Sequence, residues 1–147
     1  MRIYLDMCCY NRPYDSQEQL KVAMETQSKL YIQDLVKDGK LDLIGSYVLD
    51  YEVSQNPFDM RREAIRRFLD ENLKGYVGVE RRVALRSIAE PLMLSGIKEK
   101  DAYHLAAAMY AHCAYFISTD IRLLKHPNDS IRMVTPIEFV TETEGQE

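Results

Sequence analysis

Short apolar runs alternate along this chain with longer segments whose apolar residues recur at helical spacing. The short runs have the length of buried strands and lie at residues 2–5, 41–44, 76–79, 115–117 and 131–134. The longer segments are predicted as helices over about 16–37, 47–54, 60–73, 82–95 and 100–113, with a helical turn at 136–139. This alternation predicts an α/β domain whose mainly parallel sheet is covered by helices on both faces.

Local signals mark the ends of the first long predicted helix. Ser16 followed by Gln19 has the spacing of a capping box, which would begin the helix. Gly39 is suited to end it, because glycine readily adopts the left-handed backbone of a helix terminus. Residues 11–13 (Asn-Arg-Pro) predict a loop between the first strand and this helix.

Length and composition indicate one domain with its own core. The chain has 147 residues, of which 46% are hydrophobic and 29% charged. We predict a domain over residues 1–140 and an acidic, flexible tail over residues 141–147 (TETEGQE). No apolar run is long enough to span a bilayer, and an aspartate interrupts the apolar N-terminus where a signal peptide would need to continue. We therefore expect a cytoplasmic protein without a membrane segment.

The cysteines and histidines do not form a recognisable metal motif. The odd number of cysteines (Cys8, Cys9, Cys113) argues against a closed disulfide framework and indicates reduced thiols packed as small apolar residues. A thiolate–imidazole zinc site with His104 or His112 would lack paired ligand spacing. His104 follows Asp101 by three positions on a predicted helix, and we interpret it as a packed or surface histidine.

Acidic residues follow the ends of predicted strands. Asp6 and Asp120 come directly or closely after two strands, Asp101 opens a helix, and Glu52 lies in the helix after the second strand. In an open α/β sheet all four could reach the rim beyond the carboxyl ends of the strands. Clustered carboxylates suit Mg²⁺ or Mn²⁺, which assist phosphodiester cleavage. Each acid taken singly also fits an ordinary role as a turn former, a helix cap or a solvated side chain.

Three segments resemble the PIN-domain family. The opening MRIYLDMCCYNRPYD is similar to the first strand and aspartate of PIN proteins, and GIKEKDAYHLAAAMYAHCAYFISTDIRLLK to their carboxyl half. The segment SYVLDYEVSQNP resembles the weaker glutamate motif of the family. The resemblance implies a three-layer α/β/α sandwich with a central, mainly parallel sheet of about five strands. It also implies a Mg²⁺- or Mn²⁺-dependent ribonuclease, a hydrolase that cleaves RNA with water.

The acidic positions of the family fall on four residues of this chain, which the resemblance makes catalytic metal ligands: Asp6, Glu52, Asp101 and Asp120. Ser118 matches the small hydroxyl residue before the last aspartate, and it or Thr119 would orient a carboxylate or touch a phosphate. The family often has Thr or Ser directly after the first aspartate, whereas this chain has Met7. Further candidates for supporting or substrate contacts are Asn11, Arg12, Lys98, Lys100, Arg122 and Lys125.

Many PIN proteins are toxins of VapC type, which form homodimers and are silenced by an antitoxin, and this chain is similar enough to be one. The expected substrate is single-stranded RNA or a structured loop. The net charge of −4 counts mildly against tight non-specific duplex binding. A PIN-fold binding module with weak or absent catalysis remains the main alternative. A phosphohydrolase ranks last, because the residue two after Asp6 is Cys8 and not a second aspartate.

Overall fold

Five parallel strands form a single sheet at the centre of the computed structural model, which describes residues 1–144. The strands are β1 (Arg2–Leu5), β2 (Asp42–Ser46), β3 (Leu73–Val77), β4 (Tyr115–Ile117) and β5 (Arg132–Val134). Their order in the sheet is β3-β2-β1-β4-β5. The predicted parallel sheet of about five strands is confirmed.

Eight helices connect and cover the strands within these residues. They are α1 (Met7–Asn11), α2 (Leu20–Lys37), α3 (Tyr47–Ser54), α4 (Asp59–Asn72), α5 (Arg82–Leu94), α6 (Glu99–Tyr110), α7 (Ile121–Leu124) and α8 (Pro136–Glu144). None of them is long and apolar enough to cross a membrane.

The two faces of the sheet carry separate hydrophobic clusters. Successive residues of a strand point to opposite faces, so Ile3 and Leu5 join one cluster while Tyr4 joins the other. The first cluster includes Ile32 of α2 and Phe139 of α8, and the second contains the alanine-rich side of α6. Helices therefore cover both faces, which confirms the three-layer α/β/α architecture.

Several predicted boundaries were wrong. The expected loop at residues 11–13 is occupied by the end of α1 and a 3₁₀ turn at Arg12–Tyr14. Ser16 does not form a capping box, since α2 begins at Leu20, after Gln19, whose side chain makes no cap hydrogen bond. Gly39, by contrast, ends α2 with φ +75° as predicted.

The C-terminal helix is longer than the predicted turn. α8 continues to Glu144, because Phe139 is fully buried against the sheet and Thr141 and Thr143 bond back to carbonyls of the preceding turn. Residues 141–144, which were assigned to a flexible tail, therefore belong to α8, and the boundary of the domain at residue 140 stays a prediction. Residues 145–147, the rest of that predicted tail, lie outside the described residues.

The strand order places a switch point beside β1. From β1 the chain adds β2 and β3 on one side and then returns to add β4 and β5 on the other. Leu5 and Ile117, the last residues of β1 and β4, are register partners, so the segments that follow both strands leave the sheet at the same edge. Open α/β sheets bind ligands in the crevice that forms at such a switch point, beyond the carboxyl ends of the strands.

Candidate metal centre

Asp6 is fixed at the carboxyl end of β1 by bonds to its backbone and to both carboxylate oxygens. Its backbone N–H donates to the carbonyl of Ile117 at 2.9 Å, and its Oδ1 accepts from the N–H of Met7 at 2.9 Å as the N-cap of α1. The hydroxyl of Ser118 donates to Oδ2 at 2.9 Å. Asp6 is only 5% exposed, so its carboxylate is held in one orientation.

The turn after β4 connects Asp6 to Asp120. The hydroxyl oxygen of Ser118, which donates to Asp6, also accepts from the backbone N–H of Asp120 at 3.1 Å. The sulfur of Cys8 lies 3.6 Å from Asp6 Oδ2 and accepts from the backbone N–H of Thr119 at 3.3 Å. Asp120 is exposed and caps α7 through Oδ1, which accepts from the backbone N–H groups of Arg122 and Leu123.

Glu52 is oriented by a buried chain of polar side chains. Its Oε1 is hydrogen-bonded to Nε2 of His104, whose Nδ1 lies 2.7 Å from the hydroxyl of Tyr4. That hydroxyl is also 2.7 Å from Oγ of Ser46, which in turn caps α3 by accepting from the N–H of Leu49. Every bond in this chain has one donor and one acceptor when His104 is neutral with its proton on Nε2. Ser46 then donates to Tyr4, Tyr4 donates to Nδ1 of His104, and Nε2 donates to Glu52.

Burial and neighbouring charges act in opposite directions on Glu52. Desolvation raises the pKa of this carboxyl, but the bond with His104 and the charge of Lys100 outweigh it and hold the pKa below its usual value. Lys100 Nζ lies 3.7 Å from Oε2. Glu52 is therefore an anion at neutral pH.

Asp101 responds to the other acids of this rim. It lies half-buried in the first turn of α6, and desolvation raises its pKa, followed by the negative charges of Asp6 and Asp120. The charge of Glu52 also raises the pKa of Asp101, whereas the positive charge of a protonated His104 lowers it. The negative charges of the other three predicted acids therefore all act on Asp101.

Three of the side chains at this rim are close enough to share one ion. One ligand atom each from Asp6, Glu52 and His104 lies within 4.8 Å of the others. Asp101 and Asp120 are not members of this group. The group contains no cysteine, so within residues 1–144 nothing favours the thiolate–imidazole zinc alternative.

Comparison with known proteins identifies the architecture around these acids. No protein-family model matches the sequence, and neither does any curated protein. A chain of VapBC2 from Rickettsia felis, solved bound to a DNA fragment from their promoter, aligns with a TM-score of 0.58 and 14% identity. That alignment covers 90% of this chain and 97% of the other. VapBC2 is a toxin–antitoxin complex whose toxin is a PIN domain. The chain has a PIN-like fold.

A chain of FitAcB from Neisseria gonorrhoeae aligns with this chain less well, with a TM-score of 0.48 and 15% identity. It covers 91% of this chain and 97% of the other. Identities this low define the fold and carry no residue roles. The sequence-based recognition of a PIN-like fold is nevertheless confirmed, since structure and motifs lead to the same architecture.

The other residues that the sequence analysis proposed for the site lie at different places around the acids. Asn11 lines a crevice of about 340 Å³ together with Glu52. Lys98 and Lys100 stand at the start of α6 and are exposed. Exposed cations also follow Asp120 on or just after α7, at Arg122 and Lys125.

The contacts of Arg12 indicate a structural role and not substrate binding. Its guanidinium donates to Oε1 of the fully buried Glu25 at 2.9 Å and to Asp15 at 3.0 Å. The contact with Asp15 lies within the turn before α2, and the contact with Glu25 holds that turn against the helix. We therefore do not retain Arg12 as a substrate contact.

Sequence reasoning missed how three residues contribute to the site. His104 is packed, as expected, but it also bonds Glu52, and its spacing from Asp101 was the available signal. Tyr4 was recognisable only as part of a buried strand, and Cys8 only as a small apolar residue. Apart from the contact of Cys8 with Asp6, their polar contacts join residues 42 to 111 positions apart, which no local pattern reveals.

Proposed function

We propose that this protein is a metal-dependent endoribonuclease that hydrolyses RNA phosphodiester bonds at the rim formed by Asp6, Glu52, Asp101 and Asp120. The observation that supports this most strongly is that carboxylate oxygens of Asp6 and Glu52 lie within 4.8 Å of each other at the switch point, where His104 holds Glu52. Each of these residues comes from a different element, so the grouping results from the fold and not from sequence proximity.

The donor set fits Mg²⁺ or Mn²⁺. Carboxylate oxygens are the hard ligands that these ions prefer, and Oδ1 of Asp6 and Oε1 of Glu52 each have lone-pair capacity left. His104 is fully buried and both ring nitrogens are already hydrogen-bonded, so it supports Glu52 and is not itself the first choice as a ligand. A divalent cation would offset the crowded negative charge that raises the pKa of Asp101.

The side chains of the site would divide the work as follows. Ser118 and the N–H of Met7 orient Asp6, while His104 orients Glu52, so two carboxylates are fixed before any ion or RNA binds. Bound Mg²⁺ or Mn²⁺ would supply an activated water and neutralise charge on the phosphate. Asp120, exposed beside Asp6, and Asp101 complete the acidic rim.

RNA would reach the acids across flanking cations. The candidates for phosphate contacts are Lys98, Lys100, Arg122 and Lys125, with Asn11 in the adjoining crevice. We expect single-stranded or looped RNA, because a strand can bend into a rim of this size more readily than a duplex. An antitoxin partner, a homodimer and a cytoplasmic location belong to the same proposal by analogy with VapC-type toxins.

Calorimetric titration with Mn²⁺ and cleavage of a panel of structured RNAs test the proposal together. Asp6→Asn should weaken Mn²⁺ binding at least about tenfold, and Asp101→Asn should abolish most cleavage. Glu99→Gln is the matched control, because Glu99 lies in the same first turn of α6 but is exposed and outside the acidic group.

The outcomes separate the ribonuclease from the binding module. Loss of cleavage in Asp101→Asn with normal cleavage in Glu99→Gln supports the ribonuclease. Equal cleavage by the wild type and Asp101→Asn means that a contaminating nuclease acts, and the proposal fails. Mn²⁺ binding without cleavage of any RNA would favour a PIN-like binding module with weak or absent catalysis.

A further inference from the structure

A second pocket lies apart from the acidic rim, between α1, α2 and α4. It encloses about 180 Å³ and is lined mainly by apolar and aromatic side chains, among them Tyr10, Leu30, Ile65 and Phe68. Such a volume is below the roughly 300 Å³ of typical small-molecule sites. The pocket therefore has room for one small molecule or a single side chain.

Lys29 places a buried positive charge in this pocket. The residue is 6% exposed, and its Nζ donates to Gln33 Oε1 at 2.5 Å and lies 5.4 Å and 5.6 Å from the ring centres of Tyr10 and Phe68. Among residues 1–144 no carboxylate pairs with it. The nearby Lys37, 6.0 Å from the Phe68 ring, adds a second positive charge. Buried charges are ordinarily paired, so this ammonium lacks its counter-ion.

Tyr10 borders the pocket with its ring, which faces the ammonium of Lys29. Its hydroxyl is fully buried and has no hydrogen-bond partner within the described part of the chain, so it is not accessible from the pocket. Lys29 therefore provides the charged group in walls that are mainly apolar and aromatic.

We propose that this pocket binds a carboxylate attached to a small apolar group, with Lys29 as its counter-ion. One ammonium balances one carboxylate, whereas a phosphate dianion would require more donors than the pocket provides. The apolar walls would pack against the rest of the ligand. The carboxylate could belong to a free organic acid or to a Glu or Asp side chain of a protein partner, and the chemistry of recognition is the same.

Fluorine NMR titration of the full-length protein with 4-fluorophenylacetate tests the free-acid source. The wild type should bind it and not bind the neutral 4-fluorophenylacetamide. Lys29→Met keeps the length of the side chain and removes the charge, and it should weaken binding at least about tenfold. Tyr10→Phe keeps the ring that lines the pocket and should bind the acid as the wild type does. Lys21→Met is the control, because Lys21 is exposed on the same helix and outside the pocket.

Blocked tripeptides Leu-Glu-Phe and Leu-Gln-Phe, tested by displacement of the fluorinated acid, address the protein source. Tighter binding of the Glu peptide than of the free acid, with loss in Lys29→Met, assigns the pocket to a partner's acidic side chain. Binding of the free acid alone assigns it to a small organic acid. The proposal is overturned if no carboxylate binds at millimolar concentration, or if Lys29→Met, shown to be folded by circular dichroism, binds as well as the wild type.

Discussion

The hydroxyl of Tyr4 is a sensitive point of the candidate site, and Tyr4→Phe removes it without changing the shape of the core. The ring of Tyr4 is fully buried and stacks on Phe116 with centroids 5.7 Å apart, and phenylalanine preserves that contact. What disappears is the link between Ser46 and His104, each of which lies 2.7 Å from the hydroxyl. The substitution therefore isolates the polar contribution of the network.

The expected cost follows from the burial of the partners. Nδ1 of His104 would be left without a partner at 0% exposure, and a buried unsatisfied group costs about 1–3 kcal/mol. A loss of about 2 kcal/mol corresponds to a fall in Tm of about 4–8 °C for a domain of this size. Glu52 would also lose part of its orientation, so the affinity for Mn²⁺ should fall about tenfold.

Tyr10→Phe is a matched control, because Tyr10 is equally buried but its hydroxyl has no partner among the described residues. It should leave stability unchanged or raise it slightly, and leave Mn²⁺ affinity unchanged. Thermal and urea unfolding of the three proteins, with calorimetry for Mn²⁺, measures both effects. If Tyr4→Phe unfolds at the same temperature as Tyr10→Phe and binds Mn²⁺ normally, the network does not orient Glu52.

Three further substitutions test other parts of the structure. Burial lowers the pKa of Lys29 from 10.5 to about 8, so the folded chain binds fewer protons than the unfolded chain between these values and wild-type stability rises with pH there. Lys29→Met should therefore be more stable by about 1–3 kcal/mol at pH 7 in urea unfolding, and this advantage should shrink above about pH 8. Ser118→Ala removes the donor to Asp6 Oδ2 and should weaken Mn²⁺ binding about 10–100-fold in calorimetry, whereas Ser118→Thr should retain most of it. Arg12→Met leaves the fully buried Glu25 without its counter-charge and should cost about 3 kcal/mol by chemical denaturation. Adding Glu25→Gln should recover much of that loss, and no recovery would contradict the ion-pair explanation.

The sheet was predictable because its signal is local. In β1 the alternation of Ile3, Tyr4 and Leu5 between two hydrophobic clusters requires all three to be apolar enough for burial, and this is visible in four letters of sequence. The acids could be assigned to one rim because parallel strands end at one edge. The prediction that all four acids could reach this rim followed from the strand topology alone and required no side-chain geometry.

The parts that sequence could not provide depend on contacts between distant segments. α1 was missed because five residues are too few to show helical periodicity, and it forms where Asp6 caps it at the end of the strand. Glu25 gave no sign of burial, since a carboxylate is usually exposed unless it is paired, and its partner Arg12 lies 13 positions earlier in an apparent loop.

Met7 stands where PIN proteins often have Thr or Ser, yet the carboxylate of Asp6 still has hydrogen-bond donors. A hydroxyl at that position would act from the residue next to Asp6, but Met7 is 5% exposed and its side chain belongs to the hydrophobic core. Support for Asp6 comes instead from the backbone N–H of Met7 and from the hydroxyl of Ser118 on the neighbouring strand end. Because Ser118 also bonds the N–H of Asp120, one hydroxyl links the first and last predicted acids. The carboxylate of Asp6 therefore has two donors despite Met7, and the loss of a local hydroxyl is no reason to assign this chain to the inactive binding modules.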